Sequence, residues 1–68
     1  MRQDIIDAVN SFDNLTLLDV AYTFKFITND ELQKSICSGI LPSKSTKSYI
    51  KKRALADEEI AEYVLISA

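Results

Sequence analysis

The chain has 68 residues, a single cysteine, no histidine and a formal net charge of −2 at neutral pH. A chain this short makes one small domain, whose core supplies only about 3–5 kcal/mol of net stability unless a disulfide, a metal or a partner adds to it. Cys37 alone cannot form an internal disulfide, and without histidine it cannot build a structural zinc site. Oligomerisation or a larger partner is the support that remains. The composition, 47% hydrophobic and 26% charged, fits a folded domain and not a disordered tail. Apolar runs fall far short of the roughly 20 residues of a membrane helix, and the opening Met-Arg-Gln-Asp has no apolar stretch of a secretion signal. No membrane association is expected, and a reducing, cytoplasmic location suits the lone thiol.

Periodicity predicts an all-α compact bundle of four or five short helices over residues 1–68. Asp4 opens a first helix with Ile5, Val9 and Phe12 on one face. Asp13-Asn14 ends it and caps a second, Leu15 to about Phe26. The stretch Tyr22–Ile27 also alternates, so a short strand is the competing assignment there. Thr28 or Asn29, followed by Asp30-Glu31, starts a third helix whose apolar side is Leu32, Ile36 and Ile40. Gly39 is suited to close it, and Pro42 cannot continue it. Ser43 or Ser45 then caps a fourth helix, with Tyr49, Ile50, Ala54 and Leu55 facing inward. Asp57-Glu58-Glu59 reads as the first turn of a fifth, carrying Ile60, Ala61, Val64 and Leu65, although one long helix over residues 45–66 is also open.

The second helix is apolar on nearly all sides. Leu17, Val20, Ala21 and Phe24 make one face, and Leu15, Leu18, Tyr22 and Phe26 make another. A helix of this kind is buried all round, either by its own neighbours or by another chain. The face of Leu15, Leu18, Tyr22 and Phe26 is therefore the candidate dimer or partner surface, and a homodimer is expected.

Charge is distributed unevenly. Residues 1–43 carry −3, residues 44–56 carry +5 and residues 57–68 carry −4. Lys44, Lys47, Lys51, Lys52 and Arg53 form a run without an acid, and such a patch draws an anionic partner whatever the net charge. From Asp30 to Arg53 the chain reads DELQKSICSGILPSKSTKSYIKKR, which resembles a generic helix-turn-helix DNA-binding motif. That resemblance implies a recognition helix presenting Ser45, Thr46 and Ser48 to base edges, with Lys44, Lys47, Lys51, Lys52 and Arg53 on phosphates. A second frame, Thr16 to Ile36, has similar spacing, but its second helix opens with Asp30-Glu31, which a phosphate backbone repels.

Catalytic equipment is sparse. The absence of histidine removes the commonest general base, and one glycine cannot make a phosphate-cradling loop. The carboxylate pairs Asp4/Asp7 and Glu58/Glu62 sit where helix starts account for them. Cys37 reads as a buried structural thiol. No enzyme, cofactor, catalytic residue or metal site is expected. Two functions then compete: a small DNA-binding regulator acting through the fourth helix, or a non-enzymatic interaction module docking on a larger protein through the second helix. The latter would be an inhibitor, adaptor or antagonist of the kind phages and plasmids encode.

Overall fold

The computed structural model describes residues 2–68. Among them the chain forms five α-helices and no strand: α1 (Gln3–Ser11), α2 (Asn14–Thr23), α3 (Asn29–Ser38), α4 (Thr46–Ala56) and α5 (Glu58–Ser67). The all-α bundle is the architecture that the periodicity predicts.

Most helix ends follow from local chemistry. Asp13 caps α2, its carboxylate accepting from the Thr16 N–H at 2.8 Å. Thr28 and Glu31 form a reciprocal capping box at the start of α3: the Thr28 hydroxyl accepts from the Glu31 N–H, and the Glu31 carboxylate accepts from the Thr28 N–H. Gly39 closes that helix in the left-handed region at φ 75°, where glycine carries no Cβ penalty. Asp57, at φ −135° and ψ 117°, is too extended to continue a helix. It ends α4, and its carboxylate accepts from the Glu59 N–H at 3.0 Å to start α5, so residues 45–66 are two helices.

Two starts differ from expectation. Helix α1 begins at Gln3, and Asp4 lies within its first turn, bonding the adjacent Ile5 N–H. Neither serine caps α4 with its side chain. The Ser43 hydroxyl instead accepts from the Ser45 N–H, which makes a serine turn ahead of the helix.

Helix α2 stops at Thr23 instead of continuing to Phe26. Lys25 adopts φ 60°, the Phe26 N–H reaches back to the Ala21 carbonyl at 2.7 Å, and the Lys25 N–H bonds the Tyr22 carbonyl at 3.1 Å. These two bonds are the paired closure of a Schellman motif, with lysine in the position that glycine usually takes. The alternating Tyr22–Ile27 stretch is this turn and not a strand.

The core joins four helices. Ile5, Ala8 and Val9 of α1 meet Leu17, Val20 and Ala21 of α2, Ile50 and Ala54 of α4, and Ile60, Ala61 and Val64 of α5. Helix α4 packs on α1, α2 and α5, whereas α3 has substantial contact with α2 alone. With one neighbour, α3 buries only a narrow strip, and that strip centres on the small Ser35. Leu32 is half-buried, and Ile36 and Ile40, expected to face inward, are exposed. Cys37 is exposed as well, because two residues along a helix turn it about 200° away from Ser35. Tyr49, Leu55 and Leu65 likewise lie at the edges of their apolar stripes and remain partly in water.

Two outcomes test these local assignments. Lys25→Gly should raise stability by about 0.5–1 kcal/mol, read as a higher urea midpoint at unchanged slope, since a β-carbon is disfavoured in the left-handed region. A lower midpoint would refute that turn. The bond from the Thr16 N–H holds the Asp13 carboxyl below its ordinary value of 3.8. A depressed folded-state value stabilises the fold at higher pH, and that contribution is lost as pH falls below about 4 through the folded value. Asp13→Asn, which keeps a capping oxygen, should flatten this part of an acid-unfolding curve followed by circular dichroism.

Candidate functional site

Helix α4 buries Ile50 and Ala54, so its rotation about its own axis is set by the core. At 3.6 residues per turn, Ser48, Lys51 and Leu55 then fall in line about 110° around the helix from that buried side, with Lys47 nearer the core, Lys52 further round, and Lys44 and Ser45 in the turn that precedes the helix. Lys44, Ser45, Ser48, Lys52 and Leu55 are exposed; Lys47 and Lys51 are half-buried along their stems. The Lys47 ammonium donates to the Asn10 carbonyl at 3.3 Å, and that of Lys51 to the Asn10 side-chain oxygen at 3.0 Å. Asn10 sits in the last turn of α1, which has no basic residue of its own there. Both lysines therefore supply positive charge at the negative end of the α1 dipole.

Two residues assigned to this ridge from the sequence lie elsewhere. Thr46 is buried, so its hydroxyl is not offered to a partner. Arg53 points about half a turn away from the ridge. Its guanidinium stands 5.7 Å from the Phe26 ring centroid and 6.0 Å from that of Tyr49, and it donates to the Tyr49 hydroxyl at 3.4 Å. It closes the edge of an aromatic cluster in which Phe26 meets Tyr49 edge-on at 4.9 Å and Phe24 meets Tyr63 at 5.4 Å.

No cation of the run lies within 4.0 Å of a carboxylate among the described residues. The ion pairs found there belong to Arg2, with Asp4 at 3.4 Å and Glu58 at 3.1 Å. The acids that follow the lysines in sequence leave them unneutralised.

Beside the ridge lies a shallow groove of about 470 Å³ between α1 and α4. Ile6, Leu55 and Ala56 form its apolar floor, and Ser48, Lys51 and Lys52 its polar rim. Sequence reasoning missed it, because Ile6 and Leu55 stand at the margins of two apolar stripes that come together only when α1 packs on α4. The one available signal was Leu55 falling a turn beyond Lys51 and Lys52.

The candidate face on α2 does not assemble as expected. Leu18 is buried, with 3% of its surface exposed, and Leu15 is 66% exposed on the side shared with Ile36. Tyr22 is exposed at the far end of the helix, and Phe26, carried off the α2 axis by the Lys25 turn, lies half-buried beneath Arg53. These four residues face more than one direction. Of the two frames with helix-turn-helix spacing, the pair that packs together is α2–α3, whose second helix begins with acids; α3 and α4 are separated by Gly39–Ser45 and share no substantial contact. Among the described residues, no three Cys, Asp or Glu side chains gather as metal ligands, and no helix is long and apolar enough to cross a membrane.

Comparison with known proteins finds no matching family model, no matching curated protein and no matching solved structure.

Because Arg53 caps the aromatic cluster and not the ridge, Arg53→Ala should cost about 0.5–1 kcal/mol of stability through the lost stacking. Urea unfolding measures this. Affinity for anions should stay within about two-fold of the unaltered chain, and a ten-fold loss would place Arg53 on the binding face.

Proposed function

We propose that this protein is a small non-enzymatic interaction module that docks an anionic protein surface along the outward face of α4 and the adjoining α1–α4 groove. One observation carries the reading: lysines without carboxylate partners rim an apolar floor of Ile6, Leu55 and Ala56. Lysine ammonium groups select negative charge and steer its approach. The floor selects something more, a partner that also offers apolar side chains to be desolvated. An acidic amphipathic segment has both.

Duplex DNA is the second reading, favoured by the shared exposure of Lys44, Ser45, Ser48, Lys51 and Lys52 on one side of a helix. It makes no use of the groove floor, since phosphates are fully charged and the major groove offers little apolar surface beyond the thymine methyl. A helix-turn-helix would also seat its first helix against its recognition helix, and α3 rests on α2 instead.

The two readings separate in a titration followed by amide NMR at low salt. An amphipathic helical peptide with Glu and Leu on adjoining faces should shift the amides of Ile6, Ser48, Leu55 and Ala56, and Lys51→Glu with Lys52→Glu should weaken it about ten-fold or more while helicity is kept. Tighter binding of a DNA duplex, with affinity falling steeply as salt rises and the Ile6 amide unmoved, would establish the second reading. Neither ligand perturbing α4 at millimolar concentration would remove both.

A further inference from the structure

We propose that a second copy of this chain occupies the same face, laying its α5 along the α4 ridge, so that two copies pair about a two-fold axis and each covers the other's docking groove. This rests on the reading that the α4 face takes an acidic amphipathic surface, and it names the surface.

The chain carries such a surface itself. Outward on α5 are Glu58, Glu59, Glu62, Leu65 and Ile66, all exposed, with Ile66 78% in water. Its inward side, Ile60, Ala61 and Val64, is held in the core, so α5 presents its acids and its terminal apolar residues on a rigid helix. Glu59 and Glu62 have no cationic partner among the described residues, and Glu58 meets only Arg2. Lysines without carboxylate partners and the unpaired Glu59 and Glu62 therefore coexist on neighbouring helices of one molecule, and α4 and α5 pack on each other without an ion pair between them.

The spacing matches as well as the sign. Eleven residues is close to three turns of an α-helix, about 10.8 residues. Lys47, Lys51 and Leu55 on α4 therefore stand at the same mutual spacing as Glu58, Glu62 and Ile66 on α5, although the two helices turn somewhat different sides to the core, since Ile50 and Ala54 correspond to Ala61 and the exposed Leu65. Lys47 then faces Glu58, Lys51 faces Glu62, and Leu55 faces Ile66, when α4 of one copy runs alongside and parallel to α5 of the other. Opposite charges meet over two turns, and the two exposed apolar residues meet in the third. A two-fold axis forms this set twice, since α4 of each copy then meets α5 of its partner, and a self-complementary patch closes instead of growing into a filament. The pairing also supplies the additional support that a disulfide-free domain of this size lacks.

Self-pairing of this kind regulates the docking face. An outside acidic segment binds only a copy whose groove is uncovered, so its apparent affinity falls as the protein concentration rises through the dimer dissociation constant.

Sedimentation velocity of the full chain, supported by circular dichroism, tests this. At low salt the 7.7 kDa chain should approach twice its mass as concentration rises, and return to monomer at high salt. Lys51→Glu with Lys52→Glu, and separately Glu59→Lys with Glu62→Lys, should each weaken dimerisation about ten-fold or more at unchanged helicity. An equimolar mixture of the two variants should restore a dimer, because each reversed ridge then meets its reversed counterpart and each unaltered ridge meets an unaltered one. A wild-type monomer at several hundred micromolar and low salt overturns the proposal, as does a dimer insensitive to both variants, or a mixture that stays monomeric. If the chain is monomeric yet the acidic peptide still shifts the Leu55 amide, the docking reading survives and self-pairing alone fails. If the lysine reversals leave peptide binding unchanged, the docking reading fails.

Discussion

The convergence of α1, α2 and α5 on the Ile50–Ala54 side of α4 governs most of what this molecule presents to solvent. Two buried residues one turn apart set the rotation of a helix, and everything a half-turn away is then committed to water. On α4 that half-turn holds Ser48 and Lys52, with Lys51 at its margin. The cationic ridge is thus a consequence of core packing. Spacing groups Lys51 and Lys52 on the helix, and the core then turns them to solvent and Arg53 toward Phe26.

The ridge is also tied into the fold. Lys47 and Lys51 hold the last turn of α1 through Asn10, where the free carbonyls of a helix end attract cations and α1 has none. The same ammonium groups retain donor capacity, since a lysine offers three N–H bonds and each uses one here. The proposed binding role is therefore compatible with their structural one. Through Lys51 the Asn10 bond restrains the rim of the groove beforehand, which would lower the entropy lost on docking the proposed partner.

A small domain exposes apolar side chains because it has too few elements to cover them, and not every such residue marks a site. Leu15 and Ile36 are exposed beside α3, which rests on one neighbour. Leu55 is less exposed, yet it lines one groove with Ile6, Lys51 and Lys52, so that apolar and charged surface adjoin there. Proximity of the two kinds of surface distinguishes the α1–α4 groove from the scattered apolar residues elsewhere. Glu59 and Glu62 on α5 carry the opposite charge, and neither forms an ion pair with the lysines of the same copy.

The helix boundaries at Asp13, Thr28 and Gly39 were legible in the sequence, because each rests on a capping residue type next to it; at Asp57 the spacing allowed one helix or two, and its extended backbone makes two. The end of α2 was not legible, because lysine at position 25 lacks the conformational signature that glycine would have carried. Of the ridge, Lys44, Ser45, Lys47, Ser48, Lys51 and Lys52 could be read from spacing alone, since helical phase is itself a property of sequence. The burial of Thr46 and Leu18, the exposure of Cys37 and the stacking of Arg53 were settled by which helices became neighbours. Sequence by itself thus determined the helical class, the caps at Asp13, Thr28 and Gly39, and the alternation of charge along the chain. Tertiary structure alone decided which stripe margins became surface, and it built the groove, because an apolar residue at the edge of a helix face is buried or exposed according to the width of the helix packed against it.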